Sequence, residues 1–318
     1  MENKISFVEI DNFKLFDTLK IKNLKKVNLI GGKNNLGKTA LLEAINLNVS
    51  SIDLNNLLLS IKSILYKRNN FVEIDFFRQN ETKINIKTDK RSISLEYENV
   101  TPEAIVHLAV DNIKQPINIS SIINGPVMIN QYKISKVNFI STGNVDMTYL
   151  SELYASLVSL GKDELLDDAL RLFDENIVSI KQIIQGRPVF KVKMKNTTNP
   201  ILLSSLGDGI NRFMTIICAI WASQDGFLFI DEIENGIHYT NLEKLWTIIF
   251  ELSKEANCQV FATTHSKECI EAFNSLNTTN EGMYFELYKN KKAQIVSKER
   301  NFEQLDYSLT HEGSFRGE

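Results

Sequence analysis

One stretch limits the chain more than any other: Gly32-Lys33-Asn34-Asn35-Leu36-Gly37-Lys38-Thr39, which fits the pattern G-x-x-x-x-G-K-[ST]. Before it runs Val27-Asn28-Leu29-Ile30, short and apolar. After it, Thr39 to Leu47 carries Leu41, Leu42 and Ile45 at helical spacing. Strand, glycine loop and helix in that order predict an α/β fold. In it the loop turns successive backbone N–H groups toward an anion, and the helix adds its positive amino end. Lys38 is then set to reach the β- and γ-phosphates of a nucleotide. The Thr39 hydroxyl suits Mg2+, which prefers hard oxygen ligands. Gly32, Asn34, Asn35, Gly37, Lys38, Thr39 and Ala40 are therefore the expected nucleotide-binding set, for a nucleoside triphosphate with Mg2+.

Such a site needs an acidic element at the end of a neighbouring strand. Phe227-Leu228-Phe229-Ile230-Asp231-Glu232 supplies four apolar residues and then two carboxylates. A strand that simply ends in a solvated acidic pair is common, and it is the phosphate loop that gives this one meaning. A buried strand would put Asp231 at the carboxyl edge of the sheet, where it joins Thr39 as the expected metal ligand. Glu232 is then placed to polarise the attacking water. Gln259 to Thr264 forms another strand-like run ending at His265, whose imidazole could hydrogen-bond the γ-phosphate or could be structural. The expected catalytic residues are Lys38, Glu232 and His265.

Period changes divide the rest of the chain. Ile5 to Ile21 alternates as two strands, 50–66 reads as helix, and 71–98 reads as an antiparallel meander with one wet face. Residues 101–135, with Pro102, Pro116 and Pro126, are expected to hold mixed short elements. A helical hairpin over 147–173, broken at Gly161, is either an arm or a lid on the core. Strands near 176–183 and 188–195, helices at 207–223 and 239–255, and strands at 227–230 and 259–262 imply a parallel or mixed sheet covered by helices.

The residues are 43% hydrophobic and 24% charged, enough to bury a core. A net charge of −3 announces no field for nucleic acid or a membrane surface, although a local basic patch stays allowed. Cys218, Cys258 and Cys269 form no CxxC pair and are expected as reduced core or surface thiols. With no secretory leader and no long apolar span, a cytoplasmic protein is expected.

Asn12-Phe13-Lys14, the phosphate loop, Asp231-Glu232-Ile233-Glu234-Asn235-Gly236-Ile237-His238 and Thr264-His265-Ser266 together resemble the ATPase heads of the ABC class. The nearest likeness is to soluble OLD-like (overcoming lysogenisation defect) and RecF/SMC-related heads. It covers 5–48 and 200–275 well and the middle loosely, although Leu150-Ser151-Glu152-Leu153-Tyr154 resembles the OLD-like insertion.

The resemblance implies a P-loop ABC-type ATPase head with an antiparallel β meander and a helical insertion. Its expected parts are an N-terminal lobe (1–100), an insertion (101–195), a C-terminal lobe (196–300) and a tail (301–318). It also implies a homodimer or higher homo-oligomer in which two heads sandwich ATP. A signature loop from one head then completes the site on the other. The candidate loop is Ser204-Ser205-Leu206-Gly207-Asp208-Gly209, followed by a helix containing Arg212. Leu206 stands where that family has serine, so either Ser205 substitutes or backbone amides of the loop, with Gly207 and Gly209, make the contact alone. The alternative is a capped surface helix. Gln79 is the best candidate for the Q-loop.

Too few residues follow His265 for a Toprim nuclease domain. The chain therefore resembles stand-alone OLD-like ATPases that work beside a separately encoded effector, sometimes a Toprim protein, in bacterial anti-phage defence. DNA contact stays open and no membrane is expected. The alternatives are a low-turnover nucleotide-locked scaffold or DNA clamp of RecF/SMC type and, more remotely, the ATP subunit of a transporter.

Overall fold

Alternating apolar residues build the opening hairpin. β1 (Val8–Phe13) and β2 (Phe16–Ile21) pair antiparallel, with Val8, Ile10, Phe13, Phe16, Leu19 and Ile21 buried. A computed structural model describes residues 4–67, 81–100, 103–123, 136–143 and 146–311. β3 (Val27–Gly32) enters a different sheet and leads through the phosphate loop into α1 (Lys38–Ser50). α2 (Leu54–Lys67) starts later than the helix expected over 50–66. The Asp53 carboxylate accepts the Asn56 N–H at 2.8 Å and so marks its amino end.

β4 (Lys83–Thr88), β5 (Ser92–Val100), β6 (Glu103–Val110) and β7 (Ile113–Asn118) join the hairpin in an antiparallel sheet of order β2-β1-β4-β5-β6-β7. The meander thus reaches Asn118, well past the expected end at 98. The expected strand at 71–75 and Gln79 lie outside the described residues. The prolines are what hid β7. Pro116 sits on an edge strand, where a missing N–H breaks no ladder bond. The mixed elements expected over 101–135 are, among the described residues, these two strands and the short helix α3 (Ile119–Ile123). Val100 pairs opposite Glu103 in the β5–β6 ladder.

β8 (Val137–Ile140) precedes α4 (Met147–Ser159) and α5 (Asp163–Phe173). These helices form the expected hairpin, and it is a lid rather than an arm. Leu150, Leu153, Leu157, Leu166 and Leu170 are buried in the main core, and Lys162 at the turn reaches Glu255 at 3.1 Å and lies over the Trp221 ring. β9 (Ile177–Gln185), β10 (Arg187–Met194) and β11 (Ile201–Leu202) make a small antiparallel sheet beneath it.

α6 (Asp208–Ala222), β12 (Phe227–Ile230), α7 (Leu242–Glu255) and β13 (Gln259–Thr263) follow as expected. α8 (Lys267–Leu276), β14 (Gly282–Lys289) and β15 (Ile295–Arg300) go beyond the expected elements, and α9 (Phe302–His311) lies in the stretch expected as a tail. The central sheet has the order β15-β14-β3-β13-β12-β8, parallel except at β15. Its strands feed two cores. Leu29, Leu228, Ile230, Val260 and Ala262 face α6 and α7, whereas Ile30, Phe227, Phe229 and Phe261 face α1 and the meander. Four consecutive buried residues in β12 are what a strand covered on both faces requires.

All three cysteines are buried, and burial pushes their thiols up. Among the described residues, no helix is long and apolar enough to cross a membrane.

Candidate functional site

β3 delivers the loop to the amino end of α1, where Gly37 takes the left-handed conformation (φ 81°) and caps the helix without a side-chain bond. No acidic side chain occupies the first turn, so its N–H groups remain free for an anion. Lys38 Nζ donates to the carbonyls of Gly32 (2.7 Å) and Lys33 (3.0 Å) and so folds the loop around itself. Burial lowers the Lys38 ammonium from 10.5 to about 8, against the opposing pull of Asp231, Glu232 and Glu234. Asn34 and Asn35 are exposed on the loop crest, while Ala40 is buried in the first turn of the helix.

The parallel pairing of β13 with both β3 and β12 brings the distant parts of the sequence together. The Thr39 hydroxyl donates to Asp231 Oδ2 at 2.9 Å, across 192 residues of sequence. Thr263, at the end of β13, donates to Asp231 Oδ1 at 2.6 Å and accepts the Glu232 N–H at 2.8 Å. Glu232 itself has a positive φ of 46°. Its carboxylate lies 3.2 Å from His265 Nε2, and both side chains are partly open to solvent. The His265 N–H donates to Glu234 Oε1 at 2.7 Å. From α6, Arg212 donates to the carbonyls of Asp231 (2.6 Å), Glu232 (3.2 Å) and Ser141 (2.6 Å), joining the ends of β12 and β8. Burial lowers the Arg212 guanidinium, opposed by Asp231, Glu234 and Glu232, yet it stays charged.

The structure thus brings Lys38, Thr39, Asp231, Glu232 and His265 to one edge of the central sheet. A cavity of about 180 Å3 opens beside them, lined in part by Thr39, Glu43, Ser141, Thr142 and Asp231. Thr263, Glu234 and the β8 end at Ser141 and Thr142 escaped the sequence reading. Glu234 lies within the run Asp231 to His238 and Thr263 within the run Gln259 to Thr264, so both were legible as polar residues following buried strands. β8, only four residues long, carries no periodic signal.

The signature-like loop borders a cavity other than the one lined by Thr39 and Asp231. Ser204 and Ser205 sit in an exposed 3-10 turn (Leu203–Leu206), and exposed Gly207 precedes α6 with no side-chain cap on the helix. Gly209 is drawn into packing within the head. A Cβ there would lie 2.7 Å from the Gly236 carbonyl, so this turn is pressed against the loop after β12. Asp208, Asn211, Arg212 and Gly236 line part of a second cavity of about 230 Å3 on that side.

The donors suit Mg2+. Thr39 and Asp231 converge as hard oxygens, and among the described residues no group of three or more His, Cys, Asp or Glu side chains forms a protein cage. Two such donors would leave the rest of the ion's shell to water and phosphate oxygens.

Comparison with known proteins bears on the fold. The family model described as an AAA ATPase domain matches residues 148–270. The chain is similar to the "ATP/GTP phosphatase" of Helicobacter pylori, 27% identical over 326 residues that cover 84% of this chain and 86% of the relative. An uncharacterized protein of Methanocaldococcus jannaschii is 27% identical over 207 residues, covering 56% of this chain and 89% of its own. Among solved structures, the SMC head bound to the C-winged helix domain of ScpA superposes with a TM-score of 0.55 at 13% identity, covering 94% of this chain and 98% of that one. A Pyrococcus furiosus SMC head with an extended coiled coil, bound to the C-terminal domain of ScpA, gives 0.57 at 11% identity, covering 96% and 98%. The fold is that of a P-loop ABC-type ATPase head, shared with the solved SMC heads.

Proposed function

We propose that the protein binds and hydrolyses ATP with Mg2+ between two copies of its head, and that the closed and open states control a separately encoded effector. The observation that carries this reading is the 2.9 Å contact between the Thr39 hydroxyl and Asp231 Oδ2, a hydroxyl and a carboxylate meeting beside a phosphate loop. In this reading the loop amides and Lys38 hold the phosphates, Glu232 orients the attacking water and His265 contacts the γ-phosphate. Catalysis is positioning and electrostatics. Thr39 and Asp231 would hold Mg2+, which when bound neutralises charge on the β- and γ-phosphates.

The exposed Ser205 and Gly207 and the uncapped amino end of α6 support a contact with nucleotide held by a second head. The name of the Helicobacter pylori relative supports phosphatase chemistry, and the ScpA domains on the SMC heads support partner docking on a head of this fold. An OLD-like role in anti-phage defence, with a Toprim nuclease as effector, is the most specific form of the reading and rests on the quoted motifs.

Glu232→Gln is expected to keep ATP while kcat falls by about a hundredfold or more, and Lys38→Ala is expected to lose the nucleotide. Equal turnover by wild type and Glu232→Gln would overturn the assignment. The SMC likeness also favours a second reading, a nucleotide-locked clamp. Multiple-turnover phosphate release, measured with and without DNA, separates the two, because a clamp binds ATP stoichiometrically and releases almost none.

A further inference from the structure

We infer that Glu234 is a positioning residue that aims the His265 ring at Glu232, an inference that rests on the hydrolytic reading of this site. An imidazole is ordinarily oriented by a hydrogen bond at the nitrogen that does no chemistry. Here that bond is missing. His265 Nε2 lies 3.2 Å from Glu232 Oε1, while Nδ1 is buried and has no partner. The direction of the ring therefore has to come from where the backbone of residue 265 is held. Its N–H donates to Glu234 Oε1 at 2.7 Å, a short bond to a charged acceptor.

Two facts separate this bond from ordinary helix capping. α8 already has its cap, because Ser266 Oγ accepts the Cys269 N–H at 3.0 Å. The bond instead closes a lattice between the two strand ends, in which Glu232 N–H donates to Thr263 Oγ1 (2.8 Å) and Ile233 N–H to the Thr263 carbonyl (3.0 Å). Glu234 carries that lattice as far as residue 265. Its other oxygen, Oε2, is buried without a partner, a desolvation cost that a plain turn residue would not need to bear. The bond to the His265 N–H engages Oε1 alone.

The test compares steady-state ATP hydrolysis and ATP affinity for wild type, Glu234→Gln, Glu234→Asp, Glu234→Ala, His265→Ala and the double variant Glu234→Ala/His265→Ala. Glu234→Gln retains an oxygen at the right reach and should stay within about threefold of wild-type kcat. Glu234→Asp, one methylene short, and Glu234→Ala should lose about ten- to a hundredfold in kcat, with KM and ATP affinity unchanged. The double variant should be no slower than His265→Ala. If Glu234→Ala fails to fold, the contrast between the Asp and Gln variants carries the test. Wild-type turnover in the Ala and Asp variants, an equal fall in the Gln variant, a parallel loss of ATP affinity, or additive effects in the double variant would each overturn the inference. The imidazole 15N signals of the four histidines read the same geometry without turnover. The His265 signal should move in Glu234→Asp and hold in Glu234→Gln, and the reverse pattern would overturn the inference. If the wild type releases no phosphate, the hydrolytic reading fails separately, and this spectrum alone decides the role of Glu234.

Discussion

Lys38 holds a positive charge where burial opposes one, and the opposition has a measurable sign. In the free protein the ammonium is lowered from 10.5 to about 8, so it is charged below that pH and neutral above it. A polyphosphate in the loop stabilises the charged form and draws the value back up. ATP binding should therefore take up a proton between about pH 8 and 10, and affinity should weaken as pH rises through 8. Calorimetry in buffers of different ionisation enthalpy checks this, and proton-neutral binding at pH 8.5 would contradict it. Glu232 carries strain of another kind. A non-glycine residue at φ 46° costs about 1–3 kcal/mol, met here by Thr263 on its N–H and Arg212 on its carbonyl. Such a residue is recognisable in sequence as the second acid after an apolar run. Its backbone state is not, because nothing local in Ile230-Asp231-Glu232-Ile233 forces a positive φ.

At the scale of elements, the junction of β3 with β14 constrains the loop as firmly as any ligand. Gly32 has φ 133°, and a Cβ there would come within 2.4 Å of the Leu287 carbonyl. Gly32→Ala should destabilise the nucleotide-free protein by about 2 kcal/mol or more, read as a lower urea midpoint at unchanged m-value. An unshifted midpoint would mean that β14 has room to yield. The first glycine of the phosphate loop is thus legible in sequence for one reason and required in the fold for a second. β14 lies far along the chain and pairs with β3 only in the assembled sheet. The same distinction explains β7 and β8. Pro116 argues against a strand until the strand is known to be an edge, and Val137–Ile140 means little until it is seen to pair with Phe227–Ile230.

For the whole molecule, Ser205 and Gly207 of the signature-like loop are exposed, and in the proposed sandwich they meet the nucleotide held by a second head. Glu232→Gln with Mg-ATP should therefore double the 36.3 kDa mass of the chain in light scattering, whereas Lys38→Ala should remain a monomer. A single-chain mass for nucleotide-loaded Glu232→Gln would remove the sandwich. The residues of the candidate site were legible in short runs. Phosphate cradling depends on consecutive backbone amides at one helix start, and the acidic pair follows one buried strand, so Gly32 to Thr39 and Phe227 to Glu232 each declare themselves locally. The convergence of Thr39, Asp231, Thr263 and His265, the clasp of Arg212 on two strand ends and the hold of Glu234 on His265 came only from the assembled sheet. Strand order and hydrogen bonds between distant segments are set by how two cores pack on opposite faces of that sheet, a long-range balance to which no single stretch of the chain is sensitive.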